Sequence, residues 1–250
     1  MSSETKKDKK QKSGFRELVN VLVVAGLIAV SFRSLIAEPF NIPSGSMIPT
    51  LLVGDYLFVS KYSYGYSKFS FPFGAAPIAD RILDNQPKRG DVAVFRLPSN
   101  VSVDYIKRVV GLPGDQIQVK NGILHINGEA STRRQIGETV VGSGRFVRKA
   151  KVYEETFPDG HTHTIQEFSD TASLDNTIVF TVPEGHYFMM GDNRDGSQDS
   201  RLAAVGFVPF RNLIGRSEFL WFSRDQATPL WQIWNIPFSI RYSRIAQGIN

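Results

Sequence analysis

The stretch QIQVKNGILHING (116–128) alternates apolar and polar residues on both sides of Asn121-Gly122. That dipeptide suits a type I′ turn, whose two central residues need positive φ, so the segment predicts a β-hairpin. Four other runs share its short, β-rich character: YLFVSKYSY (56–64), DVAVFRL (91–97), NTIVFTVP (176–183) and HYFMMGD (186–192). Gly, Pro, Asn and Asp separate these runs, and none holds a helical period long enough to dominate. The expectation is a mostly β body. Residues 129–175, polar, mixed in charge and weak in periodicity, read as a peripheral β insertion between the two parts of that body, 38–128 and 176–250. The Tyr-, Phe-, Gly- and Pro-rich segment 62–90 reads either as an extended loop over the core or as a surface for lipid or an apolar substrate. Trp221, Phe222, Trp231 and Trp234 carry a similar pair of readings, core material or a bilayer-facing rim.

Upstream of the body, LVNVLVVAGLIAVSF (18–32) continues through Arg33 and Ser34 to the apolar residues 35–37. If Arg33 snorkels towards the headgroups, residues 18–37 supply the roughly 20 residues that one helical span of a ~30 Å bilayer needs. A basic tail, 1–17, precedes the span, with Lys6, Lys7, Lys9, Lys10, Lys12 and Arg16 against Glu4, Asp8 and Glu17. The positive side stays cytoplasmic, which places the β body outside. This is the reading as an uncleaved signal anchor. A cleavable signal peptide, with Ala29 and Ser31 as small residues for processing, and a helix enclosed by a soluble core are its alternatives.

The net charge of the 250 residues is +5, and the tail with Arg33 holds +4 of it. A nucleic-acid binder keeps its positive charge on the folded body, where it can follow phosphates; this body is nearly neutral, so no nucleic-acid partner is expected. Cysteine is absent. Disulfide scaffolds, thiol nucleophiles and thiolate metal sites are excluded with it.

Among candidate chemical groups, His161 and His163 are two apart in DGHTHT but lack a third ligand at a recognisable spacing, and read as surface or hairpin residues. GDNRDGSQDSR (191–201) lacks the position-12 Glu of a calcium loop. NIPSGSMIPTL (41–51) is more informative. Pro43 and Pro49 restrict its backbone, and Gly45 between Ser44 and Ser46 permits a turn that could aim an N–H and a hydroxyl into one space. A loop following a membrane helix would read the same way. In DYIKRVVGLPGD (104–115), Lys107 lies among Ile106, Val109 and Val110, where burial would favour the neutral amine; a solvated strand lysine is the alternative.

Taken in order after a basic tail and an anchor, SGSMIPTL (44–51), GDYLFVSK (54–61), KRGDVAVFR (88–96), DYIKRVVGLPGD (104–115) and GDNRDGSQDSR (191–201) closely resemble the bacterial type I signal peptidases, serine proteases of the Ser/Lys dyad class. The resemblance covers most of residues 18–222. It implies a membrane-anchored signal-peptidase-type β fold at the outer face of the cytoplasmic (inner) membrane, spanning it once. Residue by residue, it implies Ser46 as nucleophile, Lys107 as general base, Ser44 with the Ser46 N–H as oxyanion hole and Ser197 as the residue orienting the lysine. Asp199 and Arg201 match structural supports. Pockets for small side chains, the Ala-x-Ala pattern, would draw on Ile42, Met47, Phe58 and Ile106. The implied partners are preproteins bearing signal peptides, the phospholipid bilayer and a nearby secretion translocon; no cofactor or metal is implied. Cysteines and a second span occur in some relatives and are not found here. A membrane-anchored binding module without catalysis is the rival, and the intact catalytic positions argue against it.

Overall fold

The structure, a computed structural model, describes residues 4–71, 77, 78, 80–141, 147–225 and 233–249. Trp231, residues 72–76 and 79 of the aromatic segment, 142–146 of the insertion and 1–3 of the tail lie outside the described residues. Helix α1 (Glu4–Leu35) carries the whole apolar run. Its stretch Phe15–Leu35 measures about 30 Å at 1.5 Å per residue. Only 6% of its most apolar window is buried, so no soluble core encloses it. The helix stops at Leu35, short of the expected 37. The Ile36 carbonyl accepts from Lys61 N at 3.1 Å and Ala37 pairs with Ser60, so the backbone here is bonded to a strand.

The body has strands β1 (Ala37–Asn41), β2 (Asp55–Ser60), β3 (Val92–Leu97), β4 (Asn100–Gly111), β5 (Gln116–Lys120), β6 (Ile123–Ile126) and β7 (Glu129–Ala130). β8 (Thr132–Val141), β9 (Arg148–Thr156), β10 (Thr162–Glu167), β11 (Phe180–Thr181), β12 (His186–Met190), β13 (Val208–Pro209) and β14 (Leu213–Ser223) follow. They form a seven-stranded sheet in the order β1-β2-β14-β3-β4-β12-β13, a four-stranded sheet β11-β5-β6-β7 and a three-stranded sheet β10-β9-β8. The hairpin forms as expected: β5 pairs with β6, and Asn121 and Gly122 have φ of 49° and 73°, both positive as a type I′ turn demands. The run 176–183 yields only the two residues of β11. Thr177 meets the β5 edge through backbone and side chain together, its N donating to Val119 O and its Oγ1 accepting from Val119 N, each at 3.0 Å.

Two features of the large sheet position the site. Along β2, Leu57 and Val59 are buried with Ile42, Met47, Leu51, Val94 and Leu220, while Tyr56 and Phe58 lie on the opposite face beside Phe219 and Trp221. β4 changes character midway, exposed at its start and buried from Lys107 onward. The reason is its second neighbour, because β12 pairs only with the part from Arg108 to Gly111. Ahead of that point β4 has one free edge, and a cleft runs along it.

Candidate active site

The loop 42–54 is held at both ends. Ile42 N donates to Asp55 O at 2.8 Å and Gly54 N to Ile42 O at 3.0 Å, while the side chains of Ile42, Met47 and Leu51 are sunk in the core. With these apolar residues committed inward, Ser44 is left exposed and Ser46 at the floor of the cleft, 8% exposed. From β4, Lys107 Nζ donates to Ser46 Oγ at 2.7 Å and to the Ile106 carbonyl at 2.8 Å. Ser44 Oγ lies 3.5 Å from Ser46 Oγ, on the same side of the loop. Burial lowers the Lys107 pKa to about 8, the more distant carboxylates of Asp199 and Asp192 only partly offsetting it. Near pH 8 the neutral amine is then on the order of a hundredfold more abundant than for an ordinary lysine. A buried, hydroxyl-bound, half-neutral amine can act as a base.

The segment 191–201 closes the other side of the site. Asn193 N donates to Ser46 O at 3.1 Å and Asn193 Nδ2 to Gly45 O at 2.9 Å, pinning the backbone on either side of the Ser46 amide. Asp192 is clamped by Arg108, through Nε at 2.8 Å and Nη2 at 2.7 Å, and accepts a 2.5 Å bond from Thr50. Asp199 accepts from Arg201 Nε and Nη2, each at 2.9 Å, and from Gly191 N at 3.1 Å. Ser197 is buried in the same turn beside Asp199 and packs over Gly191. A Cβ at Gly191 would stand 2.2 Å from Ser197 Oγ and 2.5 Å from Ser46 O, so only glycine permits this approach.

The sequence-derived residues are therefore brought together at Ser44, Ser46, Lys107, Ser197, Asp199 and Arg201. A cleft of about 700 Å³ opens beside them, lined among others by Phe40, Ile42, Val103, Tyr105, Ile106 and Gln198. Ile42 and Ile106 are wall residues, whereas Met47 and Phe58 are not. Met47 is fully buried in the core, and Phe58 faces away with its ring 5.5 Å from that of Phe219. Reasoning from motifs missed the Ile106 carbonyl as a partner of Lys107, and Asn193 as the residue pinning the loop that carries Ser46. Asn193 lay inside a recognised motif, but a backbone acceptor 148 residues away leaves no local pattern.

The insertion contributes behind the site. Its three-stranded sheet meets the segment 191–201 at β10, where Gln166 N donates to Asp192 O at 2.8 Å and Arg194 N to Gln166 O at 2.9 Å. Arg194, itself buried, pairs with Glu155 of β9, with Nη1 to Oε1 at 2.9 Å. Of the two readings of His163, surface or hairpin, the structure has the hairpin: it lies on β10 opposite Glu155 of β9, and it is buried. Its ring is buried against Phe157 at 4.6 Å with Nε2 3.3 Å from Glu155, and burial lowers its pKa. Among the described residues, no group of three His, Asp or Glu side chains is placed to hold a metal.

Comparisons with known proteins show the family of the chain. A family model described as signal peptidase, peptidase S26, matches residues 15–222. Signal peptidase I of Rickettsia typhi is 43% identical over 227 residues, covering 88% of this chain and 83% of the relative. That of Rickettsia canadensis is 46% identical over 204 residues, covering 78% of this chain and 76% of the relative. A crystal structure of a signal peptidase I from Enterococcus faecalis aligns at 26% identity with a TM-score of 0.31, covering 53% of this chain and 97% of that one. With the family match running from the apolar helix through β14, and relatives this similar across most of their own length, the chain belongs to the signal peptidase I family, serine peptidases that remove signal peptides.

Proposed function

We propose that the chain cleaves signal peptides from exported preproteins after an Ala-x-Ala pattern, with Ser46 as nucleophile and Lys107 as general base. The observation that carries this reading is the 2.7 Å contact between the buried Lys107 amine and the Ser46 hydroxyl. Neutral Lys107 takes the hydroxyl proton as Ser46 Oγ bonds to the scissile carbonyl carbon, and the Ser46 N–H and Ser44 hydroxyl stabilise the resulting oxyanion. The C–N bond then breaks, and the Lys107 ammonium gives its proton to the departing amine. Water next attacks the ester, again losing a proton to Lys107, and the C–O bond to Ser46 breaks as the proton returns to the serine. The family resemblance assigns the orienting of the amine to Ser197, whose side chain is buried beside Asp199 and over Gly191, while the Ile106 carbonyl is the second partner of Lys107 Nζ; Asp199 and Arg201 hold the turn that carries Ser197. Ile42 and Ile106 form walls suited to small side chains.

In the same reading, 1–17 is a cytoplasmic tail and α1 a single-pass anchor in the cytoplasmic membrane, with the catalytic body 38–128 and 176–250 outside, close to the bilayer and the translocon. The aromatic side chains of Phe219, Trp221, Trp234 and Phe238 support contact with lipid, since each is at least 40% exposed. The test is cleavage of a preprotein in liposomes by wild type, Ser46→Ala and Lys107→Ala, with mass spectrometry of the products. We expect either substitution to reduce turnover by about 10³-fold or more, and the wild-type cut to follow a small residue. Comparable rates for all three proteins would rule out the dyad. In sealed inside-out vesicles the body should resist added protease, and its digestion there would overturn the outer placement.

A further inference from the structure

The anchor and the body are joined without slack. Ile36 alone separates α1 from β1, and four contacts tie this junction to the body. Lys61 N donates to Ile36 O at 3.1 Å, and Tyr66 OH to Leu35 O at 2.7 Å. The Glu38 carboxylate accepts from Arg33 Nε, in the last turn of α1, at 2.8 Å on one oxygen. Its other oxygen is 2.8 Å from Lys61 Nζ. The Lys61 side chain is only 2% exposed, and its amine also donates to Ser70 O at 2.6 Å, within a turn closed by a Ser67–Ser70 capping box. Glu38 thus bridges a cation on the anchor and a cation buried in the body. It sits on β1, the strand that runs directly into the nucleophile loop, eight residues before Ser46.

A flexible linker at this point would leave the cleft free to tilt over the membrane surface. A substrate held in the bilayer by its own apolar segment presents its scissile bond at a defined depth, so productive encounter depends on the height and tilt of the cleft. A soluble peptide imposes no such condition. We propose that Glu38 is a positioning residue, whose bridge between Arg33 and Lys61 sets the cleft at the height required by membrane-inserted substrates. The proposal rests on the reading of α1 as a bilayer anchor.

The experiment uses the full chain in phosphatidylethanolamine–phosphatidylglycerol vesicles with two substrates, a co-reconstituted preprotein and a short soluble peptide spanning the same cleavage site. For Glu38→Gln we expect kcat/KM on the preprotein to fall about tenfold, with the peptide rate within twofold of wild type. Arg33→Gln removes the exposed half of the bridge and leaves the buried pair intact, so it tests the same point without endangering the fold; a loss of about fivefold, again confined to the preprotein, is expected. Equal loss on both substrates in Arg33→Gln, or loss on neither, overturns the proposal. Extraction with alkaline carbonate separates the underlying reading. Release of the wild-type protein from the vesicles would overturn the anchor itself, whereas retention with unselective kinetics overturns the positioning role alone.

Discussion

At Lys107, function and stability pull in opposite directions. Burial lowers its pKa to about 8 from 10.5, so the folded state disfavours the ammonium that an unfolded chain would carry. Because the folded pKa is the lower one, the penalty is fully present below pH 8 and fades as pH rises from 8 towards the unfolded value. The full shift corresponds to about 3 kcal/mol. Lys107→Met should therefore abolish cleavage while raising stability at pH 7, with the advantage shrinking as pH rises above about 8; urea unfolding at several pH values measures it. Wild-type kcat/KM should climb through the same range, roughly pH 7 to 9, as the amine loses its proton. A rate flat across that interval would deny Lys107 the role of base.

At the scale of elements, the proposed catalytic arrangement depends on the close approach of two segments, the loop 42–54 and the turn 191–201. Gly191 is where they touch. Gly191→Ala places a methyl group 2.5 Å from the Ser46 carbonyl and 2.2 Å from Ser197 Oγ, so the segments must part by about 1 Å. Displacements of this size cost catalysis far more than binding. We expect kcat to fall by at least tenfold with KM within threefold, measured on a soluble peptide. A drop in KM affinity without a drop in kcat would mean that the approach serves binding alone. The same elements show how far local reading reaches. The hairpin at 116–128 follows from its own dipeptide, whereas the free edge of β4 follows from where β12 stops pairing.

Across the whole molecule, the buried ion pair of Arg194 with Glu155 joins the three-stranded sheet to the turn 191–201. Despite burial, which opposes ionisation, Arg194 and His163 hold the Glu155 carboxylate at about pKa 2. A depressed carboxylate contributes stability above its unfolded value of about 4.5 and loses it as pH falls towards the folded one. Acid unfolding followed by fluorescence should therefore steepen below pH 4.5 in the wild type. Glu155→Ala should leave the Arg194 guanidinium buried and unpaired, lowering stability by about 3–5 kcal/mol at pH 7. Double substitution with Arg194→Met should restore much of that loss. Failure to recover would show that the two side chains do not act as a pair.

The sequence by itself determined an apolar run long enough to span a bilayer, the mostly β class and the hairpin, and the resemblance carried by five ordered motifs singled out the serine and the lysine that meet in the cleft. The first three rest on local quantities, the length of an apolar run, the alternation of short apolar stretches and the φ a turn requires, whereas the loop serine and the strand lysine each keep a non-catalytic alternative until the five motifs are taken together. The tertiary structure alone decided that Met47 points into the core while Ile42 also reaches the cleft, that Phe58 faces away, and that His163 is enclosed. It also decided that Asn193 pins the loop of Ser46 and that Glu38 bridges helix and body. These depend on sheet register, on bulges such as those along β14, and on contacts between segments far apart in the chain. No periodicity records them, because which side of an irregular loop is buried is set by what packs against it.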